Sequence, residues 1–212
     1  MGNPFILTIG RQFGSGGRII GKKLADTLGI SFYDNELITL AAKESGLCPE
    51  VFERADEKAS SGLAHACNAG LSYVSLYAPY ADILSNEGLF KIQSDAIRKL
   101  SLRESCVIVG RCADYILRDD PRCISLFIHD KMANRVRRVA SRQQLAAEQA
   151  RELIARTDKS RAAYYDYFTN KTWGLAASYN FSIDVSVLGI DPTVDFIKNM
   201  LERIRPFPAS FL

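Results

Sequence analysis

Short apolar runs alternate with stretches of helical periodicity along most of the chain. Phe5-Ile-Leu-Thr-Ile9 is apolar at nearly every position, the pattern of a strand buried on both faces. Behind it Ile19, Ile20, Leu24 and Leu28 fall near helical spacing, which predicts a helix over 18–28 stopped by Gly29. Residues 30–33 read as a short second strand and 36–45 as a helix ended by Gly46. Residues 49–58 read as a helical turn or short helix. From 59 to 88 small residues, Tyr73, Tyr77, Tyr80 and Pro79 follow neither period, and helices with a mobile connection are the expectation. The periodicity then predicts a helix over 89–102 and strands over 105–110 and 123–128. It goes on to one or two basic helices over 131–156, a last strand over 181–188, and a closing helix from Pro192 to Ile204.

Strands separated by helices pair in parallel, so the predicted fold is a three-layer α/β sandwich. Such sheets bind ligands beyond the carboxyl ends of their strands. The loops after Ile9, Tyr33, Val109 and Ile128 therefore carry the search for chemistry.

Composition narrows the class. The 212 residues are 47% hydrophobic and 24% charged, which excludes a disordered or fibrous chain. No apolar run approaches the ~20 residues that span a bilayer, so no membrane association is expected. Met1-Gly-Asn-Pro4 lacks the basic start of an export signal, and the odd, irregularly spaced cysteines (Cys48, Cys67, Cys106, Cys112, Cys123) read as reduced. Both point to the cytoplasm. The net charge of +3 is too mild for a nucleic-acid binder. The charge is uneven, however. Lys131, Arg135, Arg137, Arg138, Arg142, Arg151, Arg156, Lys159 and Arg161 face only Glu148, Glu152 and Asp158, which suggests an anionic partner for that stretch.

The first loop shows what kind of anion. Gly10-Arg-Gln-Phe-Gly14-Ser15-Gly16-Gly17-Arg18 joins the first strand to the first helix. A glycine-rich turn there exposes successive backbone N–H groups, and the helix dipole adds positive potential. Gly14, Ser15, Gly16, Gly17 and Arg18 are the expected phosphate cradle. The usual P-loop ends Gly-Lys-Ser/Thr. Here Gly17 stands at the Lys position and Ile19 near the hydroxyl position, with Arg18 one residue later as a replacement charge.

Phe13-Gly-Ser-Gly-Gly-Arg18 occurs together with Val109-Gly-Arg111-Cys-Ala-Asp114 and with Asp158-Lys-Ser-Arg161-Ala-Ala-Tyr164-Tyr-Asp-Tyr167-Phe-Thr169. As a set, with Trp173-Gly174, Tyr179 and Leu188-Gly189-Ile190, they resemble the cytidylate-kinase-like family, a divergent branch of the P-loop nucleoside monophosphate kinases. The resemblance implies a five-stranded parallel sheet of order 2-3-1-4-5 in a single P-loop kinase-like domain over 1–212. It also implies an acceptor-binding insertion at about 35–90 and a helical lid at about 142–161. It implies phosphoryl transfer from ATP, with Mg²⁺, to a nucleoside monophosphate, CMP first.

Residue by residue, the resemblance places Arg111 and Asp114 on the acceptor and Asp34 beside it. Arg156 and Arg161, with Arg18, fall on the migrating phosphoryl group, and Arg142 and Asp158 in the lid. Asp34 also reads as an N-cap. Tyr164, Tyr165, Tyr167, Phe168 and Trp173 read as packing. Leu40 falls about where the family has an acceptor-binding Arg. No residue in the loop is an evident magnesium ligand, which leaves Asp34 or bridging water. Two other readings stay open: a kinase of another small acceptor, and a non-catalytic nucleotide-binding protein on the same scaffold. The partners expected are small nucleotides, with room for a homo-oligomer.

Overall fold

The computed structural model describes residues 5–35, 37 and 86–204. The helices expected over 36–45 and 49–58, and most of the segment 59–88, lie outside the described residues. The chain divides into two compact units, Met1–Asn35 with Ser101–Leu212, and Glu36–Leu100.

The first unit is built on a five-stranded sheet. Its strands are β1 (Ile6–Arg11), β2 (Ser31–Tyr33), β3 (Cys106–Val109), β4 (Cys123–His129) and β5 (Phe181–Asp184). They are all parallel and lie in the order β2-β3-β1-β4-β5, as expected. β1 is central: Ile6 pairs with Cys106 on one side and Cys123 on the other. That position explains its unbroken apolar run, because Ile6, Leu7 and Ile9 are fully buried. Sealing each such side chain from water contributes ~1.5–3 kcal/mol.

Alternate residues of the strands feed opposite faces. Leu7, Ile9, Val107, Val109, Leu126 and Ile128 pack with Ile20 and Leu24 of α1 (Gly17–Leu28) and with Val194, Ile197 and Leu201 of the last helix. Gly21 lets α1 lie close, since a Cβ there would come within 3.0 Å of Val109. Gly29 ends α1 in the left-handed conformation, its N–H bonding to the carbonyls of Ala25 and Asp26. On the other face Phe127 meets Trp173 edge-on at 5.3 Å and Tyr179 at 5.0 Å, and Tyr179 stacks on Tyr165. These aromatics are packing, as their sequence pattern suggested, although Tyr167 stands out into solvent.

The second unit contains most of α2 (Asn86–Arg103), whose Ile92, Ala96, Ile97 and Leu100 form a buried stripe at helical spacing.

The remaining elements are α3 (Ala113–Ile116), α4 (Met132–Gln143), α5 (Ala147–Thr169), a 3₁₀ turn (Ala176–Ser178), α6 (Val185–Leu188) and α7 (Ile190–Ile204). Several boundaries differ from the expected ones, and three of them change the picture. The basic stretch is two helices, and the second runs on to Thr169, so Asp158, Arg161 and Tyr165 sit on one helix. The last strand stops at Asp184, because its carboxylate accepts from the Ser186 N–H at 2.8 Å and starts α6. The closing helix begins at Ile190, two residues before its proline. Among the described residues no helix is long and apolar enough to cross a membrane.

Candidate functional site

The carboxyl ends of β1 and β3 lie side by side and open into two glycine-bearing turns, Gly14–Gly17 and Gly110–Arg111. The first turn is shaped by its glycines. Gly14 and Gly16 adopt φ of 78° and 91°, a region costly for residues with a side chain. A Cβ on Gly14 would also press on Val139 at 2.9 Å. Ser15 is buried, and its hydroxyl donates to the Gln12 carbonyl at 2.9 Å. The loop is thus bound from within, and the Ser15 hydroxyl is not turned toward a ligand.

Charged side chains from α4 and α5 clamp this loop. Arg135 donates to the Phe13 carbonyl at 2.8 Å and pairs with Asp158, which itself accepts from the Phe13 N–H at 2.8 Å. Arg138 donates to the Gly14 carbonyl and pairs with Asp130. Phe13 packs beside a small apolar cluster of Val136, Val139, Ala150 and Ile154. Arg142 and Arg161 lie over its ring at 5.5 and 5.4 Å. Asp158, Arg142 and Arg161 therefore all meet the glycine loop.

A second set of arginines is differently placed. Arg161 reaches from α5 to donate to the Arg11 carbonyl at 3.0 Å. Arg18 pairs with Asp34 at 2.6 Å, the Arg18 side chain 64% exposed and the carboxylate 7%. Arg111, in the left-handed conformation after β3, donates to Asn35 Oδ1 and lies over the Tyr164 ring at 5.8 Å. The side chain of Arg11 passes over Gly17 and ends against Gly110. Burial first, then the charges of Arg161 and Arg111, lower the Arg11 pKa to about 9, with Asp34 pulling the other way. Burial likewise lowers Arg161 to about 10, opposed by Asp158 and helped by Arg135, Arg111 and Arg142. Like charges held this close repel one another, and an anion placed among them would offset that repulsion.

The sequence-derived residues thus separate. Gly14, Gly16, Gly17, Arg18, Asp34, Arg111, Asp158, Arg142 and Arg161 converge on the carboxyl edge. Asp114 is turned inward: its carboxylate accepts from the Tyr165 hydroxyl at 2.7 Å, and burial raises its pKa. Arg156 is exposed on α5. Arg11 is the residue that sequence reasoning passed over. The available signal was a basic residue six places ahead of a glycine that stands where a lysine is usual.

Metal-ligating groups are sparse. Among the described residues no three His, Cys, Asp or Glu side chains cluster as a metal site. Cys106, Cys112 and Cys123 are free, Cys106 and Cys112 buried and Cys123 half-buried, and burial pushes each thiol up to about 12, which disfavours the reactive thiolate.

Solved structures share the fold. Over 93% of the chain and 98% of the other, it superposes on an uncharacterized protein from Eubacterium ventriosum with a TM-score of 0.69 and 28% identity. A shikimate kinase from Bacteroides thetaiotaomicron matches over 93% and 98% with a TM-score of 0.53 and 13% identity. A Thermus thermophilus protein matches over 94% and 97%, with a TM-score of 0.54 and 14% identity. The last two show the fold alone. No curated protein matches the chain. The family model for the cytidylate kinase-like family covers residues 6–187, from the central strand through the glycine loop and both arginine sets. With its 2-3-1-4-5 sheet, the chain therefore belongs to the cytidylate kinase-like family and has the fold of the P-loop kinases.

Proposed function

We propose that this protein moves the γ-phosphoryl group of ATP to a small phosphate-bearing acceptor, a nucleoside monophosphate with CMP as the first candidate. One observation carries the reading. Arg11, Arg18, Arg111 and Arg161 gather at the carboxyl edge beside a glycine loop, with Asp34 the acidic side chain set among them. Phosphoryl transfer leaves little covalent work for a protein; positioning and charge neutralisation dominate.

In this reading the N–H groups of Gly14 to Arg18, with Ser15 bracing the turn, hold the donor phosphates. Arg111 grips the acceptor phosphate bidentately and aims its oxygen at the γ-phosphorus. Asp34 binds an acceptor hydroxyl or orients Arg18. Asp114 braces the acceptor side through Tyr165. Arg161 neutralises the migrating group, and Arg156 joins it as the segment at about 142–161, a lid carrying Arg142 and Asp158, closes and excludes water. The acceptor oxygen forms a bond to phosphorus as the bond to the β–γ bridging oxygen breaks, and that electron pair leaves with ADP. An ionised phosphate acceptor has no proton to lose, so no general base is needed. Mg²⁺ would supply further neutralisation of the donor phosphates. Asp34, through water, fits it, whereas the inward-turned Ser15 hydroxyl does not. The segment at about 35–90 serves as the acceptor-binding insertion of the same domain, and the protein works in the cytoplasm.

A second reading, a small hydroxyl-bearing acceptor, is favoured by Leu40 at the expected acceptor-Arg position and by the likeness to a shikimate kinase. Product analysis across nucleoside monophosphates and small hydroxy acids, with ATP and Mg²⁺, separates the two. A diphosphate from one monophosphate supports the first, and a new phosphate ester the second. Nucleotide-induced thermal stabilisation with no product above background would mean a non-catalytic nucleotide-binding protein.

A further inference from the structure

The loop departs from the common pattern at two positions, and the two departures are reciprocal. In Gly-x-x-x-x-Gly-Lys the cation follows the second glycine. With Gly16-Gly17 set on Gly-Lys, the first glycine position is Arg11. Glycine and cation have exchanged places.

The structure gives the physical reason. A Cβ on Gly17 would lie 2.7 Å from the Arg11 Cβ and 3.2 Å from its Cγ, closer than carbon atoms pack. A side chain at 17 and one at 11 therefore exclude each other. The Arg11 stem occupies the space above the first turn of α1 that a lysine at 17 would need. Its guanidinium then reaches the end of β3, where Gly110, at φ 82°, has no Cβ to block it. No acceptor among the described residues bonds that guanidinium. The charges around it are Arg161, Arg111 and Arg18, which repel it, and Asp34. A planar fork of donors with no acceptor among the described residues, beside a glycine turn, suits the oxygens of a polyphosphate.

We propose that Arg11 is the donor-phosphate cation of this site, filling from the end of β1 the role that the P-loop lysine fills from the start of the helix. The inference rests on the kinase reading, because it assumes that the loop holds a polyphosphate.

Calorimetric titration of ATP and of AMP onto the full chain tests it, with a melting curve for each variant. Arg11→Gln and Arg11→Gly should each weaken ATP binding about 10- to 100-fold and leave AMP binding nearly unchanged. Gly17→Lys alone should lower the melting temperature, because its Cβ strikes the Arg11 stem. Arg11→Gly with Gly17→Lys removes that clash and should recover most of the ATP affinity. Wild-type ATP affinity in Arg11→Gln, or a double variant as weak as Arg11→Gly, would overturn the inference and leave the kinase reading standing. A wild-type protein that binds ATP no better than AMP would overturn both. If Arg11→Gly fails to fold, Arg11→Gln and the double variant still decide the matter.

Discussion

Two groups of arginines meet the same glycine loop, and they differ in their partners. Arg135 and Arg138 each hold a loop carbonyl and each face their own aspartate, Asp158 and Asp130. Arg11, Arg18, Arg111 and Arg161 come from four separate segments: Asp34 faces Arg11 and pairs with Arg18, Arg111 bonds to Asn35, and Arg161 bonds to the Arg11 carbonyl. The first group is neutralised within the protein and shapes the loop. The second keeps a mutual repulsion around Arg11 that Asp34 only partly offsets, and a bound anion would relieve it. Charge count along the chain hides this division, because α4 looks the more basic segment yet supplies the structural clamps.

Replacing one member of each group gives the largest contrasts. Arg161→Ala should lower kcat by roughly 10³-fold, the scale on which arginines act in phosphoryl transfer. Its melting temperature should barely change, because the bond to the Arg11 carbonyl and the contact with the Phe13 ring are lost while repulsion from Arg135, Arg111 and Arg142 is relieved. Steady-state kinetics beside a melting curve checks both. Arg135→Ala should do the reverse in stability. Its side chain is 4% exposed and Asp158 is 16% exposed, so the variant strands a largely buried carboxylate. Breaking such a pair costs ~3–5 kcal/mol, readable as a lower urea midpoint. Equal stability losses in the two variants would erase the distinction between the groups.

The pH dependence sharpens the comparison at smaller scale. The folded state holds the Arg11 proton less tightly than the unfolded chain, because burial lowers its pKa to about 9, well below the ordinary arginine value. Between those values the unfolded chain binds more protons, so this group's contribution to stability rises with pH. Below about 9 its burial cost is present in full. Arg11→Met should thus gain stability over wild type at pH 7.5, and the gain should shrink by pH 10.5. Paired melting curves across that range test this.

The smallest effect concerns Asp114, outside both groups. Burial raises its pKa, so the folded state keeps a proton that the unfolded chain releases above 3.8. Stability from this group therefore falls as pH rises from 3.8 through its folded value. Asp114→Asn keeps an acceptor for Tyr165 and should lack that fall in an acid-range melting series.

Much of this architecture was legible in the sequence. The Phe5–Ile9 run betrayed a central strand because a strand covered on both faces has no polar side to show. Gly14, Gly16 and Gly17 marked the tight turn between β1 and α1, and the shared motifs singled out Arg111 and Arg161, which the structure brings to the same sheet edge. The failures are also physical. The end of β5 was hidden because Val185, Val187 and Leu188 are apolar, and the turn into a helix shows only in the Asp184 carboxylate that caps it. The length of α5 was hidden because a reading tuned to apolar spacing fades in a charged, tyrosine-rich segment. The Asp114 carboxylate meets Tyr165 because a one-turn helix turns it inward, a contact that sequence spacing does not display. Arg11 escaped notice because its meaning lies in the missing side chain of Gly17, which a linear pattern does not display.

The most direct test of the central claim is a crystal structure with a non-hydrolysable ATP analogue and Mg²⁺. The account predicts the β- and γ-phosphates against the N–H groups of Gly14 to Arg18, with Arg161 contacting the γ-phosphate. An analogue bound elsewhere, with the carboxyl-edge arginines untouched, would contradict it.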